Sequence, residues 1–175
     1  MKILINDLRT WDPSDRASEL KLGLLLGNSE IGCRAVSVEP FIYRLACCND
    51  AVIQQETSIT IRHVHLKARE LRGRVAESVN NALKGGDEAL EAFARSYEEE
   101  VENPADVIRS LAEKYGLSQE TTDQVLLSHA SEPFQNRFGI INAFSHVAQK
   151  LEGDARVEME RFAGSLLTSS NLASA

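Results

Sequence analysis

Cysteine is scarce in this chain: three residues in 175, with Cys47 and Cys48 adjacent and Cys33 alone. An odd count with a neighbouring pair is a poor disulfide framework, and a chain of this length buries enough surface to fold as one domain without staples. No apolar run approaches the length of a bilayer-spanning helix, which excludes membrane insertion. The start, MKILINDLRTWDP, has no long apolar segment or small-residue cleavage pattern, so the expected compartment is the cytoplasm. Also lacking are a C-x-x-C knuckle, an EF-hand spacing and a solenoid repeat, so neither a metal nor another cofactor is expected.

Positive charge is the next shortage. The formal net charge is −7, and its distribution is uneven. Residues 1–63 hold 7 basic and 8 acidic groups, residues 64–84 hold 5 and 2, and residues 85–175 hold 7 and 16. Proteins that grip duplex backbone present a broad basic face, because affinity comes chiefly from Lys and Arg neutralising phosphates. Here only one segment is basic.

What is present is organised by a change of period. Residues 1–20 are polar and mixed and read as a loosely held lead-in. From Lys21 to His63 short β-patterned runs alternate with turns, which predicts a small antiparallel sheet. Pro40 interrupts it, leaving Phe41 to Ala46 as either strand or short helix. After His63 the period becomes helical. Val64, Ala68, Leu71, Val75, Val79 and Ala82 mark a helix that Lys84-Gly85-Gly86 should stop. Further helices are expected over Asp87–Glu102, Asn103-Pro104 to Tyr115, Ser118–His129, about Phe134–Leu151 and Asp154–Leu167, with a frayed tail over residues 168–175. The expected architecture is one α+β domain over 21–167, a sheet at 21–63 followed by helices at 64–167.

Chemistry-bearing residues concentrate between Gly27 and His63. Arg44, Arg62, His63, Lys67, Arg69, Arg72 and Arg74 could gather at the sheet-to-helix junction as an anion-binding corner for single-stranded or structured nucleic acid. The plainer reading of Lys67, Arg69, Arg72 and Arg74 is that they bracket the buried stripe of a helix with their stems. Cys47, activated by His63 and oriented by Asn49, has the residue types of a nucleophilic pair. Buried thiols and hydrogen bonds that stitch strand ends explain the same residues without catalysis. Cys33, Cys47, Cys48, His63 and His65 do not have metal-site spacing, since adjacent cysteines on a strand point to opposite faces.

Three features lie in the helical half. Leu111 to Leu126 is dressed as a helix-turn-helix, with Gly116 in the turn and Ser118 capping, yet its second helix offers Gln119, Glu120, Asp123 and Gln124 rather than basic groups, so a structural hairpin is expected. Glu98, Glu99, Glu100 and Glu102 read as a solvated face. On the helix from Phe134, a polar row of Asn142, His146 and Gln149 lies opposite the apolar face and is a ligand row, a stripe facing water or a contact to a neighbouring element.

The runs Ser29-Glu30-Ile31-Gly32, R-L-x-C-x-N-x-x-V from Arg44 to Val52, and Arg62-His63 before a helix resemble a family of uncharacterised phage- and plasmid-type proteins. So do NPADVIRSLAEKYGLSQE, EPFQNRFGIINAFSHVAQ and Phe162-Ala163-Gly164. The family's W/F-G-x-x-N-A-[FV]-T element corresponds to Phe138–Ser145, with Ser145 where Thr is typical. The family usually carries a long N-terminal region, against some two dozen residues before Leu24 here. The resemblance implies a mobile-element setting and no particular activity. It leaves an accessory factor that binds nucleic acid, a factor that binds a host or phage protein, and, less expected, a Cys/His enzyme.

Overall fold

The structure, a computed structural model, describes residues 2–11, 18–27, 36–44, 49–52, 59–61, 68–169 and 172, with side chains throughout 91–169 and at selected positions before that. Helix predominates among them. Five strands, β1 (Lys2–Trp11), β2 (Ser18–Gly27), β3 (Val36–Arg44), β4 (Asn49–Val52) and β5 (Ile59–Ile61), precede five helices, α1 (Ala68–Glu98), α2 (Pro104–Tyr115), α3 (Gln119–Ala130), α4 (Arg137–Ala148) and α5 (Gly153–Thr168).

All strand pairings are antiparallel: β1 with β2, β2 with β3, and β3 with both β4 and β5. The lead-in expected at residues 1–20 is thus corrected, because Lys2–Trp11 is a paired strand. Its polar Asn6-Asp7 falls where the register shifts between Leu4 and Leu8, so the residues least suited to a ladder occupy its irregular stretch. Pro40 lies within β3, which settles Phe41–Arg44 as strand. Val36–Val38 pair with β5 and Phe41–Arg44 with β4, so the residue that has no N–H to donate falls between two partners.

Period-two geometry sets what this sheet buries. Phe41 pairs with Gly23, whose missing side chain leaves room for the ring, and Leu25 lies two residues further along the same face. Both are buried, and Val157 of α5 packs against them. Leu24 points to the opposite face and is buried as well.

The predicted break at Lys84-Gly85-Gly86 does not occur. α1 runs unbroken for 31 residues, roughly 46 Å at 1.5 Å per residue. Glycine in a helix interior costs about 1 kcal/mol relative to alanine, and a helix anchored by buried Ala92, Phe93 and Ser96 near its C-terminal end continues through that cost. Other helix boundaries follow the local signals. Pro104 opens α2, and Gly116 closes it in the left-handed region at φ 73°, with the Leu117 N–H donating to Ala112 O at 2.9 Å. Ser118 Oγ then accepts from the Thr121 N–H at 3.1 Å to start α3.

α4 is the centre of the helical half. Instead of one apolar face it is buried almost all round, with Phe138, Ile140, Ile141, Phe144 and Val147 in one core with residues from every other helix. Leu172 joins the same core, so the chain is anchored beyond α5 where a frayed tail was expected. Among the described residues no helix is long and apolar enough to cross a membrane.

Candidate functional site

The register of β3 decides which junction residues can meet. Arg44 ends β3, paired with Leu20 on one side and Asn49 on the other, whereas Ile61 pairs with Val36 at the strand's beginning. Eight residues of strand separate the two positions, about 26 Å at 3.3 Å per residue. Arg44 therefore lies at the far end of β3 from Ile61. Of the expected Cys47–His63–Asn49 set, Asn49 alone is described, in β4 and paired with Arg44. Cys33, Cys47, Cys48, Arg62, His63, His65 and Lys67 lie outside the described residues. Arg69 lies on α1, and the side chains of Arg72 and Arg74 are exposed there, interspersed with exposed Glu70 and Glu77.

The polar row of α4 is resolved into parts. Asn142 is buried, and its Nδ2 donates to Glu132 Oε1 at 2.5 Å, so it contacts the α3–α4 connection and not solvent. His146 is half-buried and Gln149 likewise.

Around Asn142 lies a polar corner that the sequence did not mark. His129 is buried near the end of α3, and three residues later Glu132 lies in the connection. Burial pushes the His129 imidazole below its ordinary value, opposed by the Glu132 carboxylate and by a hydrogen bond to the Phe134 backbone. His129 Nε2 and Glu132 Oε2 are buried without a hydrogen-bond partner in the protein. With its other nitrogen donating to the Phe134 carbonyl, a neutral His129 presents a bare acceptor at Nε2, as Glu132 does at Oε2. A histidine and an acid three residues apart in S-H-A-S-E was the only available signal.

Two residues of the Phe138–Ser145 element acquire a physical reason here. A Cβ on Gly139 would stand 2.3 Å from the Phe134 carbonyl oxygen, so only glycine fits. Asn142 holds Glu132 as described. Just upstream, Asn136 ties α4 to α1: its Oδ1 accepts from the Gly139 N–H at 3.0 Å and its Nδ2 donates to Tyr97 O at 2.7 Å.

Arg137 was not anticipated. Fully within the core, it donates from Nε to Leu166 O at 2.8 Å and from Nη2 to Ser169 O and Oγ, capping the exposed carbonyls at the end of α5. Its role is structural. The α2–α3 pair is likewise a packed hairpin, with Ile108, Leu111, Thr122 and Val125 inward and Gln119, Glu120 and Asp123 exposed. Among the described residues there is no group of three or more His, Cys, Asp or Glu arranged to hold a metal ion. No protein-family model, curated protein or solved structure matches this chain.

Proposed function

We propose that this protein is a non-enzymatic accessory factor of phage or plasmid type, working in the cytoplasm, that acts by binding single-stranded or structured nucleic acid. The observation that carries this reading is the exposure of Arg72 and Arg74 on the early turns of α1, in the one basic segment of an acidic chain. Arg62, His63, Lys67 and Arg69 lie within the preceding ten residues of sequence, so the segment can present a run of cations without help from Arg44. The reading takes the chain as a single α+β unit in which the sheet, through Leu25, Phe41 and Val157, stiffens the platform that bears α1.

The test is fluorescence anisotropy with a labelled single-stranded oligonucleotide and a labelled hairpin over a salt series. Binding should weaken steeply with salt. Each phosphate contact contributes a log–log slope of about −0.7 on single strands, so removing both Arg72 and Arg74 should flatten the slope by about 1.4. No binding to either probe at low ionic strength would remove the proposal. The leading reading would then be a factor that binds a host or phage protein.

A further inference from the structure

At the opposite, acidic end of the charge distribution a groove of about 570 Å³ opens between the end of α1 and the segment leading into α4. That volume lies in the range of ligand-binding clefts. Its floor is firm. The Val101 N–H donates to Gln135 O at 3.1 Å and the Arg137 N–H to Glu99 O at 2.9 Å, an antiparallel bridge that ties the two walls together. Half-buried Tyr97 and Phe134 line it, their rings edge to face with centroids 5.3 Å apart.

Around these rings stand Glu98, Glu100 and Glu102, all exposed. Among the described residues no basic group forms an ion pair with any of them, whereas neighbouring Glu99 is paired with Arg137. Three carboxylates without an ion-pair partner attract cations by direct charge, and the apolar lining of Tyr97, Val101 and Phe134 suits the aliphatic stem of a Lys or Arg. The carboxylates repel phosphate. From this charge complementarity we propose that the groove docks a basic peptide segment, with Lys or Arg side chains, of a protein partner. The groove is separate from the basic segment of α1, so this proposal does not depend on nucleic-acid binding.

The experiment is an anisotropy titration at low ionic strength with a fluorescein-labelled hexapeptide of alternating Arg and Lys. An uncharged Ser-Gly hexapeptide serves as control. Glu98→Gln, Glu100→Gln and Glu102→Gln together should weaken binding at least tenfold. The charge-matched set Glu113→Gln, Glu120→Gln and Asp123→Asn, which removes the same charge from other exposed positions, should leave it within twofold. Unchanged binding in the first set, equal loss in both sets, or no binding by the parent protein would each overturn the proposal. The single reversal Glu100→Lys, at an exposed position, provides a second variant should the triple set unfold; it too must weaken the basic peptide relative to the parent, and failure to do so counts against the groove.

Discussion

Arg137 Nη1 lies 2.8 Å from Glu99 Oε2, joining the start of α4 to the end of α1 across 38 positions of sequence. The pair is lopsided: the arginine side chain is 5% exposed and the glutamate 51%. Removing Arg137 leaves the Leu166 and Ser169 carbonyls without their donor, at about 1–3 kcal/mol for each unsatisfied buried group, while the half-exposed Glu99 carboxylate contributes on the order of 0–1 kcal/mol after solvent screening. Urea unfolding should therefore show Arg137→Ala as a severe loss and Glu99→Ala as a mild one. Equal effects would mean that the ion pair, and not the capping of Leu166 and Ser169, dominates.

Two helical glycines should respond with opposite signs to the same change. Gly73 has open space around the position of a Cβ, so Gly73→Ala should raise stability by about 0.5–1 kcal/mol. Gly139→Ala drives a methyl into the Phe134 carbonyl and should lower stability while disturbing the Asn136 cap. Thermal unfolding of both variants checks this, and a neutral Gly139→Ala would refute the close approach.

The His129 imidazole, held below its ordinary value of 6.5 chiefly by burial, makes stability depend on pH. The unfolded chain takes up this proton more readily than the folded one. The contribution is therefore fully present above about pH 6.5 and is lost as pH falls through the lower folded value. His129→Asn, which keeps a donor for the Phe134 carbonyl, should flatten the stability profile on the acid side of 6.5. An NMR titration of the native His129 ring with a midpoint at or above 6.5 would contradict the assignment.

Binding of nucleic acid should depend on the β5–α1 connection and not on the helical hairpin. Arg62→Ala should abolish oligonucleotide binding with the fold intact. Glu120→Ala with Asp123→Ala, both exposed on α3, should change it little. The comparison is an oligonucleotide titration of each variant after circular dichroism confirms folding, and loss only in the second would move the site to α3.

Local chemistry was legible wherever one or two residues decide the backbone. Pro104, Gly116 and Ser118 set their helix ends because a missing N–H, a left-handed φ and a capping oxygen act within one turn. The hairpin nature of α2–α3 and the helical second half followed from the same signals and from apolar spacing. Where many residues share the outcome, local cues failed. Gly85-Gly86 looks like a stop, but the free energy of continuing α1 is summed over 31 residues and their packing.

What only the tertiary structure decided was register and burial. The sequence does not say which residues face each other across β3; the register put Asn49 beside Arg44 at one end of the strand and Ile61 beside Val36 at the other, since pairing is chosen by which faces bury Leu25 and Phe41. The polar row of α4 admitted water, a ligand or a neighbouring element, and packing among the other helices decided for Asn142, which is buried against Glu132. Arg137 carries no local signature, and the S-H-A-S-E spacing is the sole local hint of His129 and Glu132. Their partners lie on other elements, and a buried polar group acquires its significance only when the fold removes water and leaves hydrogen-bond acceptors to be satisfied.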